Sequence, residues 1–247
     1  MVRPLIAGNW KMNGLKQSLS EIDAINQKLS GMDDKADCLL CPPATLIAPM
    51  AARAGDRLNV GGQSCHASEK GAHTGDISAE MLADAGASYV IVGHSERRQD
   101  HNETDADIAA QAEAALRAGL TPIICCGETL ETRKAGSTLD FVSGQLATSL
   151  PDSLQGKAFV VAYEPIWAIG TGEVATPDQI GEVHAHIRSL LITRFGDTGA
   201  NTPILYGGSM KPGNAADILT VPHVNGGLIG GASLKADDFM AIYAAAE

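Results

Sequence analysis

The sequence predicts a closed (β/α)8 barrel, and three observations carry that expectation. Its 247 residues match the ~250 typical of such a barrel. Eight short apolar runs punctuate it, ending near Asn9, Cys41, Gly62, Gly93, Cys125, Tyr163, Tyr206 and Ile229, with a helix-like pattern after nearly every one. The runs are continuous, as in Val90-Ile91-Val92 and Thr121-Pro122-Ile123-Ile124-Cys125, which is how strands read when parallel neighbours and covering helices bury both faces. Sharing 247 residues among eight units leaves about 31 for each, enough for strand, loop, helix and return. An open doubly wound sheet is the alternative. It would normally carry a Gly-rich dinucleotide turn after its first strand, and Asn9-Trp10-Lys11-Met12-Asn13-Gly14 is no such turn. No linker, low-complexity tract or charge block divides the chain, so residues 1–247 are expected to form one domain.

The helices between the strands have clear punctuation. Thr104-Asp105-Ala106-Asp107 predicts the cap of a helix with apolar positions Ile108, Ala112, Ala115 and Leu116, closed by Gly119. Thr176-Pro177-Asp178-Gln179 combines a capping box with Pro at the first helical position, before the stripe Ile180, Val183, Ile187, Leu190 and Leu191. Asn214 and Ser233 read as caps of the last two helices. Between Glu128 and Leu150, Gly136 and Gly144 predict two helical pieces or a frayed start. Residues 63–78 form the longest irregular connection, turning at Gly71 and Gly75. A loop of this length predicts a projecting arm, with a mobile surface loop as the alternative.

Composition excludes several functions. Eighteen Lys and Arg against 29 Asp and Glu give a net charge of −11, which leaves no basic footprint for nucleic acid or an anionic membrane. No apolar run approaches the ~20 residues of a membrane span, and Met1-Val2-Arg3-Pro4 leads into a strand without a signal-peptide core, so a cytoplasmic protein is expected. The five cysteines are odd in number. Cys38 and Cys41 have C-x-x-C spacing but lie within one apolar strand, and reduced thiols are expected.

Barrels place reactive groups at the C-terminal ends of their strands. That rule nominates Asn9 and Lys11, Gln63, His94 with Ser95 and Glu96, Cys125 and Cys126, Glu164, Ser209, and Gly230 with Gly231. The set holds a base, a polarising group and a cation for a substrate anion. It has neither a hydrolytic triad nor a metal-ligand cluster, so no metal and no cofactor is expected. His184 and His186 have a metal-like spacing, but positions two apart on a helix do not face each other. The turns Tyr206-Gly207-Gly208-Ser209 and Gly230-Gly231-Ala232-Ser233 can offer backbone N–H groups to a phosphate. After Glu164, Pro165 stiffens the backbone and Gly170 and Gly172 loosen the far end of an apolar segment containing Trp167, the composition of a hinged lid.

Five segments, Ala7-Gly8-Asn9-Trp10-Lys11-Met12-Asn13, Val90 through Arg98, Tyr163 through Gly172, Tyr206-Gly207-Gly208-Ser209 and Gly230-Gly231-Ala232-Ser233-Leu234, closely resemble the motifs of the triosephosphate isomerase family, in that family's order. The resemblance implies a single catalytic TIM barrel that interconverts dihydroxyacetone phosphate and D-glyceraldehyde 3-phosphate through an enediolate, in glycolysis and gluconeogenesis, without a cofactor. By the same resemblance Glu164 is the base. His94 is a neutral imidazole whose pKa is lowered by a helix beginning near Ser95. Lys11, supported by Asn9, stabilises oxyanion charge, and Glu96 is a supporting carboxylate. The phosphate would lie against N–H groups of Gly170, Ser209, Gly230 and Gly231. The lid would comprise Pro165, Ile166, Trp167, Ala168, Ile169, Gly170 and Thr171, continuing to Gly172. The 65–78 arm, around Thr74 and Gly75, would enter a second copy to make a homodimer, with Arg97 and Glu103 at that interface. Glu173 after the lid and His73 in the arm depart from the commoner family pattern, and an ionisable His73 suggests a dimer affinity that changes near pH 6 to 7. The alternative is a catalytically inactive phosphosugar-binding or surface-adhesion barrel.

Overall fold

In a computed structural model that describes residues 2–169 and 173–246, eight parallel strands close into a barrel in sequence order. They are β1 (Leu5–Asn9), β2 (Asp37–Cys41), β3 (Leu58–Gly62), β4 (Tyr89–Val92), β5 (Thr121–Cys126), β6 (Val160–Tyr163), β7 (Ile204–Tyr206) and β8 (Gly226–Ile229). The barrel closes where β1 pairs with both β2 and β8, Ala7 lying between Leu39 and Leu228. Alternation along each strand sends side chains to two separate cores. Leu5, Ala7, Leu39, Ile91, Ile123 and Leu205 fill the interior. Ile6, Leu40, Val92 and Ile124 pack outward with helical residues such as Ile22, Ile25 and Ile108. Both faces of the sheet are thus buried, which explains why the strands carry no polar alternation.

The helix starts follow their sequence signals in two cases. Thr104 accepts from the Asp107 N–H at 3.2 Å while Asp107 Oδ2 accepts from the Thr104 N–H at 2.9 Å, opening the helix Asp105–Arg117. Thr176 and Gln179 make the same reciprocal pair ahead of Pro177–Phe195. The fifth unit is two helices, Leu130–Lys134 and Thr138–Ser149. Only Gly136, at φ +70°, interrupts it, since Gly144 lies inside the second helix.

The last two caps differ from expectation. Asn214 precedes the helix Ala215–Leu219, but its Oδ1 accepts from the Lys211 N–H at 2.7 Å and so ties the preceding turn. Ser233 lies within a short 3-10 turn, Gly231–Leu234, and its hydroxyl donates to the Gly230 carbonyl. The final helix, Ala236–Ala244, is capped from outside. Glu21 of the first helix, Ser20–Leu29, accepts the Ala236 N–H at 2.8 Å and the Lys235 ammonium at 2.9 Å. A remote carboxylate at a helix N-terminus satisfies an orphan donor as well as a local serine does. No sequence window around Ser233 contains that information.

All five cysteines are buried thiols without a disulfide. Burial pushes the Cys38 and Cys65 thiols up to about 12, well away from a reactive thiolate. His184 and His186 go separate ways, His184 to the His223 carbonyl and His186 to the Ser143 hydroxyl. Among the described residues, no helix is long and apolar enough to cross a membrane.

Candidate active site

Asn9 ends β1 and turns its Oδ1 onto the N–H of Lys11 at 3.0 Å. Lys11 itself has φ +52°, a left-handed conformation uncommon outside glycine. Gln63, just beyond β3, supports it by donating to the carbonyls of Lys11 and Cys41, both at 2.9 Å. Strained backbone held by neighbours from two other strands fixes where the ammonium can reach. It reaches Glu96, with Nζ 2.6 Å from Oε1.

Beyond β4 the chain turns at Gly93 and delivers His94 as the N-cap of the helix Ser95–His101. His94 Nδ1 accepts from the Glu96 N–H at 3.2 Å. The ring proton of the neutral imidazole is therefore on Nε2, which faces Glu164 Oε1 at 2.9 Å. The second oxygen of Glu164 accepts from the Ser95 N–H at 3.1 Å. The expected helix start at Ser95 thus touches both groups.

Glu164 follows β6 and is only 2% exposed. Its N–H donates to the Cys126 carbonyl at 2.7 Å, continuing the ladder between β5 and β6. Two glycines let neighbouring chain pass against it. A Cβ on Gly127 would stand 1.7 Å from the Glu164 carbonyl oxygen, and one on Gly207 2.8 Å from Glu164 Cγ. Those positions admit no other residue while the carboxylate stays where it is.

The charges of this pair are coupled. Burial alone would raise the Glu164 carboxyl, but the charge and hydrogen bond of His94, then the Ser95 N–H and Lys11, hold it below the usual carboxylate range. Burial alone would lower His94, and the Glu164 carboxylate more than offsets that, so its net direction is upward. A lowered His94 was expected. The helix start is where it was expected, its Glu96 N–H meeting Nδ1, but the expectation omitted the carboxylate 2.9 Å away. Removing that carboxylate to a substrate would leave burial and the helix start acting on the ring.

The segment from Pro165 leads into a 3-10 turn, Ile166–Ala168. Glu128 organises it. Oε1 of that fully buried carboxylate accepts from the Tyr163 hydroxyl at 3.1 Å and the Trp167 indole N–H at 3.0 Å, while its carbonyl accepts from the Ile166 N–H. On the other side Ser209 donates to the Ala168 carbonyl, from its N–H at 3.2 Å and its hydroxyl at 2.8 Å. The Ser209 N–H, expected to face phosphate, is here bonded to the lid segment. Gly170 and Thr171, expected in the lid and, for Gly170, at the phosphate, lie outside the described residues, as does Gly172.

One cavity of about 700 Å³ brings Asn9, Lys11, His94, Glu164, Ile169, Ser209, Gly230 and Gly231 together. Lys211 adds a second cation to its wall. Of the nominated groups, Cys125 and Cys126 are buried in the barrel cores behind this surface, and burial raises both thiols. Thr74 and Gly75 are exposed on the arm, which is closed at its base by the His66–Ser78 bridge. Arg97 pairs with Glu103 at 2.6 Å.

The sequence matches a family model described as triosephosphate isomerase over residues 4–246. The chain belongs to the triosephosphate isomerase family. It is 64% identical over 244 residues to triosephosphate isomerase of Hyphomonas neptunium (strain ATCC 15444), covering 98% of each chain. It is 60% identical over 247 residues to the enzyme of Dinoroseobacter shibae (strain DSM 16493 / NCIMB 14021 / DFL 12), covering 99% of each. The crystal structure of triosephosphate isomerase from Bartonella henselae superposes with a TM-score of 0.92 at 49% identity, covering 99% of both chains.

Sequence reasoning passed over two residues, Gly127 and Glu128. They directly follow the end of β5 at Cys126, where the strand-end rule looks for function. The signal was available. It was overshadowed by the adjacent cysteine pair.

Proposed function

We propose that this chain interconverts dihydroxyacetone phosphate and D-glyceraldehyde 3-phosphate with Glu164 as the base and His94 and Lys11 as the groups that stabilise developing oxygen charge. The observation that carries this reading is the buried Glu164–His94 contact at 2.9 Å, in a cavity that also holds Lys11 and the two late glycine turns. Moving a proton between adjacent carbons needs a base near both, a donor to their oxygens and a grip on the distant phosphate. Glu164 carries no proton near neutral pH because its pKa is depressed. Substrate entry exchanges its bond from His94 for contact with carbon, and frees Nε2–H to donate to the carbonyl or hydroxyl oxygen. Preorganised donors of this kind contribute about 10²–10³ in rate apiece.

The phosphate grip comes from backbone N–H groups at Gly230 and Gly231, with Lys11 and Lys211 supplying positive charge in an otherwise acidic protein. Closure of the lid brings the Ser209 N–H to the phosphate and keeps water from the enediolate, with Glu128 holding the near end through Trp167. Asn9 acts by positioning Lys11, and Glu96 by pairing with it.

The exposed Met12 and Leu15, 95% and 69% accessible, together with the projecting arm, support a homodimer in which the arm of one copy covers this loop of the other. A cytoplasmic setting suits five reduced thiols. The test is a coupled assay with dihydroxyacetone phosphate on wild type and Glu164→Ala. The variant is expected to lose several orders of magnitude in kcat while still binding glycerol 3-phosphate. Equal turnover in the two proteins removes Glu164 from its role.

A further inference from the structure

Arg98 stands on the helix Ser95–His101, one turn beyond His94, with its side chain largely buried. Its guanidinium bonds to neither the His94 ring nor the Glu164 carboxylate, but to backbone that leads to each of them. We propose that Arg98 is a positioning residue for the isomerisation, bridging the turn that presents His94 to the strand that anchors Glu164. The inference rests on the reading of those two side chains as the reacting pair.

The bridge occurs where the sheet runs out. The ladder between β4 and β5 ends with Val92 opposite Ile124. One residue further on, Gly93 leaves the sheet at φ +70°, and Arg98 supplies donors in place of the ladder. Its Nε donates to the Gly93 carbonyl at 2.9 Å and its Nη2 to the Cys125 carbonyl at 3.2 Å. Buried carbonyls need donors, and here one planar group serves two of them and so fixes the distance between the strands' ends. Helical side chains lean toward the N-terminus, which is how residue 98 reaches back to residue 93. On the far side, the carbonyl of the next residue, Cys126, accepts the Glu164 N–H at 2.7 Å. The path from the His94 turn to the Glu164 backbone thus runs through one guanidinium and one peptide step of β5.

The guanidinium is itself held. Nη1 pairs with Asp105 Oδ1 at the start of the helix Asp105–Arg117. Nη2 also donates to the Ser149 hydroxyl at 3.3 Å, and that hydroxyl donates to the same Asp105 oxygen at 2.8 Å. Asp105 answers the charge of Arg98, so what the arginine adds to the site is geometry. A lysine would keep the charge beside Asp105 but has a methylene where arginine has Nε, and it lacks the rigid fork. The 2.9 Å contact between His94 Nε2 and Glu164 Oε1 depends on the register of the two backbones that carry them. A misplacement of about 1 Å costs about 10²-fold in rate.

The test compares Arg98→Met and Arg98→Lys with wild type. Should Arg98→Met unfold because Asp105 loses its partner, Arg98→Lys retains a cation there and decides. Arg194→Met is the control: it removes a guanidinium that donates to the Leu146 and Ala147 carbonyls and pairs with Asp152, outside the cavity. Circular dichroism establishes which variants fold. Proton NMR follows the His94 Nε2–H, assigned by its disappearance in His94→Gln, and a coupled assay with dihydroxyacetone phosphate gives kcat and KM. In Arg98→Lys the resonance is expected to shift or broaden away and kcat to fall about 10²-fold, with glycerol 3-phosphate affinity unchanged. Arg194→Met should lower Tm and leave resonance and kcat as they are. An unmoved resonance or an unchanged kcat in folded Arg98→Lys overturns the proposal. Absence of turnover in wild type would instead remove the reading of the reaction, while the resonance still decides whether Arg98 places His94.

Discussion

His184 should make this protein lose stability on mild acidification by an amount that one substitution can isolate. Its side chain is fully buried, Nδ1–H donates to the His223 carbonyl at 3.2 Å, and Nε2 has no partner among the described residues. The ring meets Tyr163 edge-on at 5.9 Å. A second proton would create a buried charge, and burial lowers the pKa from 6.5 to about 4. The unfolded chain takes up the proton as pH falls through 6.5, whereas the folded chain resists until about 4. The contribution to stability is therefore complete above 6.5 and is lost as pH falls across that window. At about 1.4 kcal/mol for each pH unit the full loss is about 3 kcal/mol, of which about 2 kcal/mol has gone by pH 5. His184→Asn can keep a donor toward the carbonyl without titrating. Urea unfolding of both proteins at pH 7.5 and pH 5 measures the difference, since every other titrating group is common to the two. Wild type should lose about 2 kcal/mol more than the variant between the two pH values. Equal losses to within about 0.5 kcal/mol, the scale of an ordinary surface change, refute the argument.

Two further outcomes test how Glu164 and the lid are held. Gly127→Ala places a methyl 1.7 Å from the Glu164 carbonyl oxygen, so Glu164 must shift; kcat is expected to fall about 10²-fold, as for a displacement near 1 Å, with little change in glycerol 3-phosphate affinity. An unchanged kcat would mean that the backbone absorbs the clash elsewhere. Glu128→Gln replaces a charged acceptor shared by Tyr163 and Trp167 with a neutral one, weakening two bonds each worth about 1.5–3 kcal/mol. The near end of the lid should loosen, lowering kcat about tenfold with altered Trp167 fluorescence, and unchanged emission and turnover would show that the lid does not depend on this carboxylate.

The barrel was legible because its strands are buried on both faces and so read as uninterrupted apolar runs at near-even spacing. That Asn9, His94 and Glu164 share one cavity was legible for a related reason: each stands at or just past the end of such a run, where the architecture gathers side chains from different strands. What the sequence did not disclose lies in contacts between distant segments. Glu21 caps a helix 215 residues away, and Ser233, locally a better candidate, is engaged with Gly230. The balance on His94 was misjudged for the same reason, since Glu164 is 70 positions further along the chain. The bridge from Arg98 belongs to this class as well, since it reaches Cys125 on a different strand, 27 positions further along the chain.

The closure between β1 and β8 bears on how the protein matures. The first and last strands pair directly, Trp10 donates its indole N–H to the Ser233 carbonyl at 3.0 Å, and Glu21 holds the start of the final helix. These contacts join the two ends of the chain and carry the largest loop-closure entropy in the molecule. Lys11 stands on one side of that seam and Gly230 on the other, close enough that a Cβ added to Gly230 would touch the lysine side chain. A chain that has formed its helices but not this junction has Glu164 without the Gly230 turn that shares its cavity. Recovery of turnover during refolding therefore reports the moment the ring is completed, later than any spectroscopic measure of its parts.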